Sequence, residues 1–257
     1  VMQWSVIFKK EMLENARNIK WIWVPIVFFI FGIMDPITTY YLPKILESVG
    51  GLPEGAVVDI PMPIPAEAFF YSVSEIDSLG LLVIALIGMR LIAGEMKSGV
   101  YELVLSKPVK YTNYVTAKWA GFVLLVVTST FIGLLAGWYY VNLLFGDLGF
   151  DAFLTTFLLY SVYSLFFTAI IVFVNTWFKK PGMVLFLSFL LAIGIDIITS
   201  IYGHILTWSP GHISSYVNDY LQSGTIPSEM WGTIGTTFVL IIIMLLLSIV
   251  ILKNKEK

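Results

Sequence analysis

Residues 94–118 read Gly-Glu-Met-Lys-Ser-Gly-Val-Tyr-Glu-Leu-Val-Leu-Ser-Lys-Pro-Val-Lys-Tyr-Thr-Asn-Tyr-Val-Thr-Ala-Lys. Long apolar runs flank this stretch on both sides. It carries Lys97, Lys107, Lys110 and Lys118, and such a segment cannot lie in hydrocarbon. It therefore reads as a loop between two membrane spans, and its lysines place it on the cytoplasmic side. Val100, Leu103 and Val104 recur at three and four residues, the spacing of one helical face. Pro108 stops any helix because it has no N–H to donate. Thr112 or Asn113 is a candidate cap for the next helix. A short amphipathic helix on the inner face of a membrane protein predicts a docking surface for a soluble partner.

The composition agrees with this reading. The chain is 58% hydrophobic and only 12% charged, against about 25% charged for ordinary soluble domains. It has no cysteine and two histidines, which excludes disulfides, thiolate metal sites and a His-rich centre. No cleavable signal is expected. The first apolar run begins near Trp21, is too long for a signal sequence and lacks a small-residue cleavage site.

Working outward, residues 4–20 place Trp4, Phe8, Met12, Ala16 and Ile19 on one helical face, with Lys9, Lys10, Glu14 and Arg17 on the other. This predicts an elbow helix lying in the membrane interface, rather than a cap packed on the next element. Six helical spans are expected at 21–41, 76–93, 119–145, 153–178, 183–202 and 232–252. With the N-terminus inside, fourteen of the fifteen basic residues fall on the inner side and only Lys44 falls outside. That decides the orientation, with both termini cytoplasmic. The outer loop 42–75 holds an extended Pro61–Pro65 segment and then a short interfacial helix over 66–76. A second outer loop spans 203–231. The fold expected is thus an all-α membrane protein, one unit over 1–257, with an elbow and six transmembrane helices.

The candidate chemical sites are sparse. Gly94 and Gly99 have the glycine spacing of a phosphate-binding loop, but Val100 and Tyr101 stand where the lysine and hydroxyl residue belong, so ATP binding by this chain is excluded. His204 and His212 are eight apart in an outer loop and read as ordinary polar loop residues. Asp35 and Asp196 are the acids expected within spans, so each is a candidate pathway or gate residue. Asp35 precedes Pro36, which also allows it simply to mark a helix break. Gly133 and Gly137 form a small-xxx-small pair for close helix packing, within the bundle or between two copies.

The phrase made by Glu95, Gly99, Glu102, Leu103, Val104, Leu105, Ser106, Pro108 and Val109, followed by Lys118, resembles the permease subunits of type-2 ABC exporters. Ala66-Glu67-Ala68-Phe69 is also similar to their outer loop. The likeness departs at Val100, where the family usually has threonine, and at Lys110-Tyr111. It is specific over residues 60–118, and in architecture it covers the whole chain.

The resemblance implies a multi-pass cell-membrane subunit that exports a substrate and has no enzyme activity of its own. Two permeases would pair, as a homodimer in the simplest case, with two cytosolic ATPase subunits that bind ATP and Mg. This chain would hold no cofactor. The loop 94–110 would be the coupling helix, with Glu95, Gly99, Val100, Glu102, Leu103, Val104, Ser106 and Pro108 at the ATPase. The first, second and fifth spans would line the pathway, near Asp35 and Asp196. The rival reading is a stand-alone secondary transporter or channel. That rival calls for an inverted repeat and several charges at the bilayer midplane, and neither is evident. A membrane-embedded enzyme would need a nucleophile with its base, or metal ligands, inside the bundle.

Overall fold

The computed structural model describes residues 2–49, 61–105 and 109–255. Ser106, Lys107 and Pro108 lie outside the described residues, as do the side chains of Leu103 and Val104. The elements are α1 (Met2–Arg17), α2 (Lys20–Val49), α3 (Pro65–Glu75), a π-helical segment Ile76–Gly80, α4 (Leu81–Gly88), α5 (Ala93–Ser98), α6 (Val100–Leu105), α7 (Tyr111–Leu144), α8 (Phe150–Trp177), α9 (Pro181–Tyr202), a 3-10 turn Pro210–His212, α10 (Ile213–Ser223) and α11 (Ser228–Asn254). Six stretches are long and apolar enough to cross a membrane: Lys20–Leu46, Pro65–Ser98, Tyr111–Leu144, Phe150–Trp177, Pro181–Tyr202 and Ser228–Asn254. The protein is an all-helical, multi-pass membrane protein with a preceding N-terminal helix.

Helix α8 is the axis of the bundle. Its most apolar window is 78% buried, against 17% for α11 and 22% for α9. Helices α4, α7, α9, α10 and α11 all pack on it. The outward faces of α2, α9 and α11 keep Ile26, Ile30, Phe186, Leu190, Phe238 and Leu246 exposed, as hydrocarbon-facing surfaces must.

Helices α2 and α7 cross at glycine. A Cβ on Gly32 would stand 2.0 Å from the Gly133 carbonyl oxygen, and one on Gly133 would stand 2.7 Å from that of Phe28. The Gly133/Gly137 pair therefore serves packing within one chain. Proline completes the junction. Pro36 has no N–H, so the carbonyl four residues earlier, that of Gly32, lacks its helical donor. The Ser72 hydroxyl of α3 donates to it at 2.7 Å. The freed acceptor is thus satisfied from a neighbouring helix, as a bilayer demands.

Four expectations need correction. The helix does not break at Asp35-Pro36; α2 runs through Pro25, Pro36 and Pro43. The segment 66–76 is not an interfacial helix. Ala68, Phe69, Ser72 and Val73 are buried in it, and it continues through the π segment into α4 as one span. Neither Thr112 nor Asn113 caps α7, which begins at Tyr111 after an extended Lys110 with no side-chain cap. The elbow ends at Arg17, followed by a turn with Ile19 at φ 57°. Its deepest stripe is Ile7, Glu11 and Asn15, packed toward α7, while Val6 and Leu13 stay exposed on the other side.

The α2/α7 crossing makes a direct prediction. Gly32→Ala should lower the melting temperature of detergent-purified protein by several degrees. Gly235→Ala, where a Cβ meets open space, should hold or raise it, because alanine favours helix. Equal melting of the two variants would mean that the helices do not touch at Gly32.

Candidate functional site

The basic end of the bundle holds a break in the second span. Helix α4 stops at Gly88, and α5 starts at Ala93. Three backbone groups at this break, the Gly88 carbonyl and the Ile92 and Ala93 N–H groups, turn to a partner outside their own helices. One buried side chain on α8 serves them. Asn175 Oδ1 accepts from the Ile92 and Ala93 N–H groups at 3.1 and 3.0 Å, and its Nδ2 donates to the Gly88 and Ile171 carbonyls at 3.1 and 2.9 Å. Gly99, with φ 76°, then ends α5 in the left-handed conformation that glycine accepts most readily. The result is a bent hairpin, α5–α6, at the end of the bundle. Val100 is 36% exposed on it and Glu102 is exposed, while Tyr101 is buried edge-on against Tyr114.

Glu95 does not join that exposed face. It turns inward to the Lys118 ammonium at 2.9 Å, accepts a hydrogen bond from Lys10, and accepts the Tyr114 hydroxyl at 2.5 Å. Lys118 is 1% exposed and also donates to Glu11 Oε1 at 2.7 Å and to the Leu91 carbonyl at 2.9 Å. Two carboxylates and two ammonium groups thus join α1, α5 and α7. Glu11, Glu14 and Glu95 bring carboxylate oxygens within 4.8 Å of one another. Lys10 and Lys118 already supply the countercharge there, so the arrangement is an ion-pair network rather than a metal centre.

Nearby, Lys255 at the end of α11 donates to the Thr176 and Trp177 carbonyls at 2.6 and 3.1 Å, closing the C-terminus of α8. Partial burial, with Lys179 close by, holds its ammonium below the usual lysine range.

The other, acidic end carries a second cluster. Asp77 sits in the π segment and accepts from the Tyr160 hydroxyl at 3.1 Å. Asp196 on α9 takes the Tyr163 hydroxyl on both oxygens at 3.1 Å. Asp77 and Asp196 line one cavity of about 420 Å³ with Leu81, Leu82, Phe189 and Ala192. The 3-10 turn closes against it; a Cβ on Gly211 would stand 3.1 Å from Asp196 Oδ1. Asp35 belongs elsewhere, within electrostatic range of Glu75 and Tyr71. The sequence pairs Asp196 with Asp35, whereas the structure pairs it with Asp77. Asp77 falls at the mouth if the span begins at 76, but the helix begins at Pro65 and carries it deeper. His212 stacks on Tyr216, and its Nδ1 faces the Ser215 hydroxyl.

Glu11, Asn175, Asp77, Tyr160 and Tyr163 were not singled out by sequence. A polar residue inside an apolar run, as at Asn175, was the available signal. Lys118→Met would leave Glu11 and Glu95 with only the partly exposed Lys10 as countercharge. That is expected to cost about 3–5 kcal/mol, read as a lower denaturation midpoint. Adding Glu11→Gln removes one stranded charge and should restore part of the loss. A double variant no better than the single would show that charge is not what holds the three segments.

The comparisons with known proteins cover the same ground. The family model for ABC-2 family transporter protein matches residues 5–256. A Bacillus subtilis (strain 168) protein with the name uncharacterized transmembrane protein YxlG is 29% identical over 240 residues, 93% of this chain and 92% of that relative. A match that runs from Ser5 to the penultimate residue takes in the elbow, the broken span and the last helix alike, and the chain belongs to the ABC-2 transporter family.

Proposed function

We propose that this chain is the membrane-spanning permease subunit of an ATP-driven exporter that works with a separate cytosolic ATPase. The observation that carries the reading is the α5–α6 hairpin, exposed at Val100 and Glu102 and anchored from within by Glu95. Val100 and Glu102, with Leu103, Val104, Ser106 and Pro108 beside them, form the proposed docking surface. Gly99 sets the bend that presents it. In this scheme Glu95 acts as a positioning residue that fixes the hairpin to α1 and α7, not as a contact to the ATPase.

ATP and Mg bind the partner, and this chain supplies no catalytic group. Two permeases and two ATPases complete the exporter, with the basic end toward the cytoplasm. ATPase closure pushes on the hairpin, and the push reaches α1 and α7 through the Glu11–Lys118–Glu95 network and α4 through Asn175. Asp196, with Asp35 nearer the mouth, lies on the proposed outward pathway.

The test is a mild-detergent pull-down of the tagged chain from its native membranes. A stoichiometric soluble subunit carrying a phosphate-binding loop is expected. Val100→Asp with Glu102→Lys should abolish its recovery while the permease still inserts in the membrane. Unchanged recovery would remove the hairpin as the dock, and transport by the chain alone without ATP would overturn the exporter reading.

A further inference from the structure

We propose that the cavity between the π segment, α4 and α9 binds a hydrophobic monovalent cation, an ammonium or phosphonium bearing apolar substituents, between Asp77 and Asp196. The role of such an ion as cargo rests on the permease reading, but its binding does not. Both carboxylates open onto the same cavity, whose volume of about 420 Å³ lies in the range of small-molecule sites.

The charges there are not balanced by the protein. Tyr160 and Tyr163 donate hydrogen bonds from buried positions on α8. A phenol O–H orients a carboxylate and leaves its charge in place. Among the described residues neither aspartate has an ion-pair partner; the described ion pairs all lie at the Lys10–Lys118 network. The titratable groups of the surrounding elements are Glu67, Tyr71 and Glu75 on α3, the two tyrosines on α8 and His212 at the end of the 3-10 turn, whose buried Nε2 has no hydrogen-bond partner among the described residues. The His212 ring is stacked on Tyr216, and its Nδ1 faces Ser215. Carboxylates held in a low-dielectric site call for a countercharge or a shared proton, and a cationic ligand supplies the first.

The lining selects which cation. Magnesium and calcium require six or more oxygen ligands or retained waters. Besides the two carboxylates the lining has the Ser74 and Ser78 hydroxyls, of which Ser78 already bonds the Glu75 carbonyl, and Leu81, Leu82, Ala192 and Phe189 offer apolar contact and an aromatic ring to a substituted cation.

A second observation is independent of the acids. Ser164 and Ser188 are buried hydroxyls with no hydrogen-bond partner among the described residues. Ser164 lies one helical turn beyond Tyr160, and Ser188 one turn before Ala192. Both steps lead from the acidic end toward the bilayer middle. Neither serine lines the cavity; Ser188 stands beside Phe189, which does, and a buried hydroxyl without a protein partner is a place for an ordered water.

The experiment is equilibrium binding of radiolabelled tetraphenylphosphonium to the purified full-length chain in detergent, without ATPase, against empty micelles. Saturable binding is expected, with uncharged triphenylphosphine oxide failing to compete. Asp77→Asn and Asp196→Asn should each weaken binding about tenfold or more, and Asp35→Asn should not. Leu82→Trp fills the cavity and keeps both acids, so it should also abolish binding and decides the matter if the asparagine variants do not fold. No saturable binding by the unmodified chain, full competition by the neutral analogue, or undiminished binding in the folded Asp77→Asn/Asp196→Asn or Leu82→Trp protein would overturn the proposal. A chain that captures an ATPase yet binds no cation sinks this inference alone. A chain that binds the cation but captures no ATPase sinks the exporter reading and leaves the site standing.

Discussion

A lysine ammonium without water has to be surrounded by acceptors, and Lys118 fixes the architecture of the basic end through that requirement. Its charge is repaid only if Glu11, Glu95 and the Leu91 carbonyl converge on it. These groups come from three separate segments: α1, the break before α5, and α5 itself. An elbow helix whose deepest stripe carries a glutamate would not pack on α7 without the lysine. A hairpin cut from its span at Met89–Ile92 would not hold its angle. The ion pair is weak evidence for stability as such. Its stronger meaning is registry, because only one arrangement of the three segments satisfies every charge.

The sequence was most legible where physics is simplest. Hydrocarbon thickness and the lysine distribution yield six spans and their order, and the structure has six helices in those places. The short helix around Val100 follows from the charged run around 94–118, whereas the break at Met89–Ile92 and the left-handed Gly99 emerge only in the structure. What escaped reading was polar burial. Periodicity leaves Glu11 unassigned and the resemblance puts Glu95 at the ATPase, because an acid is costly inside unless its partner is known, and the partner is 107 residues away for Glu11. Asn175 was silent for the same reason, since its use depends on a break in another helix. Asp77 was misjudged by one boundary. Pro65 is an acceptable first helical residue, so the span begins there and an acid expected at the mouth moves inward.

Proline and glycine mislead in soluble-protein terms and not in membrane terms. Pro36 ought to stop a helix, yet α2 passes through it because the freed Gly32 carbonyl finds the Ser72 hydroxyl. The same carbonyl lies beside the bare Cα of Gly137, so a side chain there would displace the donor or the helix. One junction therefore joins α2, α3 and α7, and the loss of a backbone hydrogen bond becomes an inter-helix bond.

The second span is gripped at two points by the same neighbour. Tyr160 of α8 holds Asp77 at the acidic end, and Asn175 of α8 holds the break at the basic end. These residues are 15 apart on a continuous helix, so the grips stand about 22 Å apart. Between them α4 is a regular helix and transmits a push along its axis with little loss. Its two ends, the π segment and the turn at Met89–Ile92, act as the hinges in the proposed mechanism. In the proposed mechanism a force on the hairpin rotates α5 about Asn175 and shifts α4 against α8. The first groups to feel that shift are the Tyr160–Asp77 bond and the cavity wall opposite Asp196. Coupling between the two ends then requires no chain of side chains across the bundle. It requires one stiff helix between two hinges, and α8 as the fixed reference against which it moves.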